Sequence, residues 1–180
     1  LGLIPSNEEE ASSTFIRHIR EIVAAEVDLD GLLAVAGDSP IRHAPASPPA
    51  VVAGDRVRIG IARDTAFGFY YPDDLIALEH AGAELVTVNT LSDTALPEVD
   101  GLFIGGGFPE TQMHSLAANV AMRRQIRSAI EAGLPAYAEC GGLMYLCRSL
   151  RWQEQQHEMV GVIPADCVMH RRPQGRGYVK

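Results

Sequence analysis

Ala138-Glu139-Cys140-Gly141-Gly142 is the part of this sequence best equipped for chemistry. It lies between a short apolar run, Pro135-Ala136-Tyr137-Ala138, and a second one that starts at Leu143. A nucleophile on a sharp strand-to-helix turn needs small residues two before and two after it, because the backbones nearly touch there. Ala138 and Gly142 meet that demand, with cysteine in the place often held by serine. Such a turn aims the sulfur at a cleft and sets it at a helix N-terminus, a partial positive charge that suits an anionic sulfur. The amide of Gly141 is then placed to help hold an oxyanion. The bland alternative is a buried cysteine in a glycine-rich turn, and the frame of small residues argues against it.

A second unusual segment, Gly105-Gly106-Gly107-Phe108-Pro109-Glu110, follows another apolar run. Consecutive glycines let backbone N–H groups approach a ligand with no Cβ in the way. A phosphate cradle would need the GxGxxG spacing or a Walker lysine, and both are absent. Beside a cysteine elbow, Gly106 and Gly107 read instead as part of an oxyanion hole, and Glu110 either orients the glycine loop or, the favoured reading, caps the next helix. Cys147 reads as core within a helix, and Cys167, with no companion motif, as inert. The general base that a cysteine nucleophile requires is usually histidine. His18, His43, His80, His114, His157 and His170 are the six available. His170 has the best order along the chain but sits in a loop-like stretch, and pattern assigns the role to none of them.

Composition removes several function classes. The 180 residues carry 15 basic and 23 acidic side chains, a net charge of −8, which disfavours a nucleic-acid surface. The single lysine is Lys180, so Schiff-base chemistry and a P-loop lysine are excluded within this sequence. Three cysteines with no CxxC pair support neither a disulfide scaffold nor a zinc site, and they suit a reducing cytoplasm. No apolar run approaches the roughly 20 residues of a membrane span, and no signal-peptide layout is present.

The elements that must position the two motifs follow from periodicity. In residues 1–37 Ser12 and Ser13 offer an N-cap, followed by Phe15, Ile16, Ile19, Ile22 and Val23 at helical spacing, then Leu29, Leu32 and Leu33. That unit is too short for a core of its own. It is either a helical hairpin packed on the next domain or the tail of a preceding one. Residues 38–55, with Pro40, Pro45, Pro48 and Pro49, read as an extended linker. From Arg56 strands alternate with helices: Val57–Ala62, a helix opened by Pro72 and stopped by Gly82, Leu85–Val88, Gly101–Ile104, a helix through Met122, Ile126 and Ile130 closed by Gly133, Pro135–Ala138, and a helix from Leu143 to Leu150. This is the pattern of an α/β fold, an open, mostly parallel sheet flanked by helices, with its site beyond the carboxyl ends of the strands. The break after Gly177-Tyr178-Val179-Lys180, which reads as a strand's beginning, suggests a piece of something larger.

Three segments together resemble one family: Asp64 with Phe67-Gly68-Phe69-Tyr70-Tyr71-Pro72, then Gly105 to Glu110, then Tyr137-Ala138-Glu139-Cys140-Gly141-Gly142-Leu143-Met144-Tyr145-Leu146. In order and spacing they are similar to the cobyrinic acid a,c-diamide synthases, and the resemblance covers residues 56–180. Met169 to Val179 looks closer to the hydrogenobyrinic acid branch. The family implies a class I glutamine amidotransferase domain with flavodoxin-like layering over residues 56–180, C-terminally incomplete. It makes residues 1–37 the helical remnant of an ATP-dependent synthetase domain.

The resemblance also implies a division of labour. Cys140 is the catalytic nucleophile toward glutamine, with Gly106, Gly107 and Gly141 binding glutamine and its oxyanion. The catalytic histidine is expected beyond Lys180, so this piece alone should be inactive. ATP and Mg2+ belong to the synthetase part, as does the corrinoid tetrapyrrole, and no cofactor or metal is expected in this chain. A homodimer is left open. Nickel-sirohydrochlorin a,c-diamide synthases share the motifs. Glu139 before Cys140 also admits a cysteine hydrolase of another class on the same scaffold, and a non-catalytic interaction domain is the third alternative.

Overall fold

The computed structural model describes residues 9–38 and 56–170. The proline-rich stretch 39–55, with His43, and the terminal stretch 171–180 lie outside the described residues. The chain divides into two compact units, Leu1–Pro49 and Ala50–Lys180. In the first, α1 (Glu9–Glu26) and α2 (Leu29–Gly37) form the two expected helices. Helix α1 begins before Ser12, so the expected serine cap falls inside the helix. Asp28 caps α2 by accepting from the Gly31 N–H at 2.9 Å.

The second unit is built on a four-stranded sheet of β1 (Val57–Ala62), β3 (Ala83–Val88), β4 (Gly101–Ile104) and β6 (Ala136–Ala138), in the order β3-β1-β4-β6. All three pairings are parallel, which demands crossover helices. Helix α3 (Pro72–His80) connects β1 to β3, with Pro72 at its first position and Asp73 and Asp74 at its positive end. The helices α4 (Met113–Ala118) and α5 (Val120–Glu131) connect β4 to β6. Asn119 caps α5 by accepting from the Met122 N–H, and Gly133, at φ 105°, turns the chain out of it. Helix α5 buries Met122 and Ile126 in a core shared with Val88, Ile104, Leu116 and Leu150.

Two parts of this unit depart from the expected pattern. Phe67–Phe69 (β2) pairs antiparallel with Gly106–Gly107 (β5), so the glycine run is partly strand rather than free loop. The helix expected over Leu143–Leu150 stops early. Helix α6 covers Gly141–Leu146, and Cys147–Trp152 is a strand, β7. Strand β7 runs antiparallel to β8 (Gln155–Glu158) and parallel to β9 (Ile163–Val168) in a second sheet. The helix ends because Cys147 turns extended, and the N–H groups of Val160, Gly161 and Met159 take the carbonyls of Tyr145, Cys147 and Arg148. Along β7 Arg148 and Arg151 face out while Cys147, Ser149 and Leu150 are buried. That near-alternation marks a strand that helical spacing obscured. Cys147 is therefore core, as expected, but in a strand, and its Sγ lies 3.5 Å from that of Cys167 on β9.

Tyr70 and Asp64 tie the loops to the sheet. The Tyr70 hydroxyl donates to the Ala62 carbonyl and accepts from the Gly105 N–H at 2.9 Å, and its ring packs edge-on against Phe103. The Asp64 carboxylate accepts from the N–H groups of Ala66, Phe67 and Thr90 and from the Thr90 hydroxyl, at 2.7 to 3.1 Å. Tyr71, by contrast, is 74% exposed.

Burial pushes the Tyr70 phenol up to about 12, and it pushes Tyr145 up as well. An unfolded tyrosine ionises near pH 10, so each contributes stability that is present below pH 10 and lost as pH climbs toward the folded-state value. Tyr70→Phe should flatten part of the alkaline loss in a pH series of urea midpoints. At neutral pH it should cost about 1–3 kcal/mol, because the Gly105 N–H is left unpaired. In the same assay Ile126→Ala should cost about 2–5 kcal/mol by opening a cavity in the core.

Candidate active site

The turn after β6 bears the Cys140 side chain. Sheet pairing continues one residue beyond the strand, since the Glu139 N–H reaches the Ile104 carbonyl at 3.2 Å. The chain then reverses at Cys140, whose φ of 48° and ψ of −113° lie in territory that a side-chain-bearing residue rarely adopts. Among the described residues Gln153, at the β7–β8 turn, is the other non-glycine with positive φ. Cys140 is the N-cap of α6, and its carbonyl accepts the helix's first bond, from the Met144 N–H at 3.2 Å. The residue is exposed.

Backbone contact enforces this conformation. The Gly142 N–H bonds the carbonyls of Glu139 at 2.8 Å and Gly105 at 3.1 Å. A Cβ on Gly142 would stand 2.1 Å from the Ile104 carbonyl oxygen, so only glycine lets α6 begin against the end of β4. The small residue that the elbow demands two positions after its nucleophile therefore has a specific contact to make.

The glycine run lies beside the cysteine. The position a Cβ would occupy on Gly106 is 3.7 Å from the Cys140 Cβ, and that of Gly141 is 3.1 Å from the Gly107 amide nitrogen. Gly106 is buried and Gly107 half-buried. As the first residue of α6, Gly141 has an N–H with no carbonyl inside the helix to meet. The structure thus brings Cys140, Gly141, Gly106 and Gly107 together at the ends of two adjacent strands, β4 and β6, where an open parallel sheet keeps its sites.

Other expected residues fall elsewhere. Glu110 lies inside a 3-10 turn, Pro109–Thr111, whose N-cap is Phe108, and neither that turn nor α4 receives a side-chain cap. The expected capping role is therefore not realised: the N-cap positions fall on Phe108 and Gln112, on either side of Glu110, and burial raises the Glu110 pKa above the usual carboxylate value. Among the described residues no histidine is hydrogen-bonded to Cys140. His114, on α4, instead packs edge-on against His157 of β8, and His170 is exposed beyond β9. A groove of about 690 Å3 also lies away from the cysteine. Val57, Ile59, Phe103, Ala136 and Tyr137 line it along a face of the main sheet. The pairing of Phe67–Phe69 with the glycine run escaped sequence reasoning, although the alternation Phe67-Gly68-Phe69 was its available signal.

Comparison with known proteins agrees with this geometry. Residues 58–180 match the family model of the CobB/CobQ-like glutamine amidotransferase domain. The whole chain is 44% identical, over 186 aligned positions, to a cobyrinate a,c-diamide synthase of Magnetococcus marinus, and it covers 40% of that protein. Enzymes of the same name from Archaeoglobus fulgidus and Methanosarcina acetivorans are 42% and 41% identical, over 99% and 94% of this chain and 39% of each relative. The chain thus spans about two-fifths of the length of the curated relatives it matches. With an α/β sheet of the expected kind and a family match over most of its length, the chain belongs to the CobB/CobQ-like glutamine amidotransferase family.

Proposed function

We propose that this chain provides the glutamine-hydrolysing site of an a,c-diamide synthase in cobalamin biosynthesis. The observation that carries the reading is the strained Cys140, exposed on its elbow and flanked by the glycine run. The Cys140 sulfur attacks the side-chain carboxamide carbon of glutamine. The carbonyl oxygen, now an oxyanion, takes hydrogen bonds from the Gly141 N–H and from an N–H of the Gly106–Gly107 segment. A donor of this kind is worth about 3–4 kcal/mol in other enzymes. Collapse of the intermediate breaks the C–N bond and releases ammonia, once a general acid has protonated the nitrogen. Water then cleaves the thioester to glutamate and restores the thiol.

Ammonia released here would amidate the a and c acetate carboxylates of cobyrinic or hydrogenobyrinic acid. Carboxylate activation by ATP and Mg2+ is a general way to make such an amide, and the resemblance assigns that pair to the synthetase part rather than to this chain. The one lysine of the sequence is terminal, and among the described residues no group of three or more His, Cys, Asp or Glu side chains could hold a metal ion. We therefore assign activation to the portion of the relatives' length that this chain does not span, and route no step through ATP or Mg2+ here. The first unit fits the same scheme as the end of a synthetase domain, with residues 38–55 as its connector and a glutamine amidotransferase domain from residue 56.

Cys140→Ala should lower glutamine hydrolysis by the intact enzyme by on the order of 10³-fold or more, while ammonia-dependent amidation persists. Glutaminase activity at the wild-type level in that variant would reject Cys140 as nucleophile. Gly142→Ala should lose the same activity by displacing the elbow from the Ile104 carbonyl, and a parallel loss of thermal stability should accompany it.

A further inference from the structure

The chain is acidic overall, yet four of its arginines line one cavity of about 350 Å3, together with Glu158 and the Met159–Gly161 backbone. Arg123, Arg124 and Arg127 come from α5 and Arg148 from β7. Like charges gathered this way repel one another unless something offsets them, so the acids that face them decide what the cavity is for.

Those acids are three, and they leave the cavity positive. Glu131 takes Arg127 Nε at 2.8 Å, and Asp166 takes Arg148 Nη2 at 2.7 Å, each occupying one nitrogen of its guanidinium. Glu158 lies 3.7 Å from Arg123 Nη1, but its side chain is 84% exposed, where solvent screens the pair. Arg124 has no hydrogen bond or ion pair among the described residues. One of these charges is also preorganised. The Arg123 side chain is only 11% exposed, and its guanidinium is fixed by the carbonyls of Ala117 and Met159 at 2.9 to 3.2 Å. Neutral carbonyls orient that charge without cancelling it.

The floor is equally fixed. The Met159 and Gly161 N–H groups bond the Arg148 and Cys147 carbonyls at 2.9 and 2.8 Å. A Cβ at Gly161 would stand 3.3 Å from Arg127 Nη1, so the glycine leaves that guanidinium room over the floor. The forked donors of arginine match the oxygens of a phosphoryl or carboxylate group, and several of them around a small cavity match more than one negative charge.

We propose that this cavity is a binding site for a compact oxyanion carrying two or more negative charges. The site is formed by α5, β7, the end of β8 and the segment after it, and it does not depend on the reading of Cys140. Calorimetric titration of the chain with pyrophosphate and, separately, with citrate, at constant ionic strength set by chloride, tests it. Saturable one-site binding of either anion is expected, and pyrophosphate alone or citrate alone would assign the phosphoryl or the carboxylate class. Arg124→Ala and Arg127→Ala should each weaken that binding at least tenfold, with the circular dichroism spectrum unchanged. Arg58→Ala, which removes a β1 arginine paired with Glu84 of β3, should leave it within twofold. Heats no larger than those of matched chloride for both anions would overturn the proposal. So would binding that responds equally to Arg58→Ala and to the cavity variants.

Discussion

The approach of the α6 backbone to the end of β4 governs the rest of the site. Gly142 rests on the Ile104 and Gly105 carbonyls at a separation that no side chain tolerates. Because α6 must start there, the residue two positions earlier has to reverse the chain in one step, and Cys140 takes a strained positive-φ conformation as a result. Strain of this kind costs on the order of 1–3 kcal/mol and persists only where the surroundings over-determine it. The core beneath supplies that determination, through Ile104 and through Tyr145 and Leu146 of α6 itself.

The glycine run is held against the cysteine from the opposite side. Its strand pairing with Phe67–Phe69, the Tyr70 hydroxyl on the Gly105 N–H, and the Asp64 carboxylate under Ala66 and Phe67 connect it to the carboxyl end of β1. Three consecutive strand ends therefore converge on one sulfur. Under the proposed function, donors aimed in advance at an oxyanion would need no reorganisation during the reaction, and a rigid backbone would serve that end better than mobile side chains.

Much of this was legible in the sequence. The four parallel strands, the elbow and the neighbouring glycines follow from short apolar runs, the Ala138–Gly142 frame and the position of the glycine run after a strand. Pro72, Gly82 and Gly133 marked helix ends that the structure keeps. What was not legible depended on distant partners. Cys147–Leu150 reads as the end of a helix until β8 and β9 arrive to pair with it, and the contact between Cys147 and Cys167 follows from that pairing. Glu110 failed as a cap because the chain tightens into a 3-10 turn that propensity does not announce. The arginine cavity is invisible to spacing, since Arg148 joins the α5 arginines only through the second sheet.

The most direct test of the central claim is the site of reaction of a diazoketone analogue of glutamine with the intact enzyme, mapped by peptide mass spectrometry. A single adduct on Cys140, suppressed by excess glutamine, is the result this structure predicts. Modification of Cys147 or Cys167 in its place, or an unmodified Cys140 in an enzyme that the analogue inactivates, would contradict it.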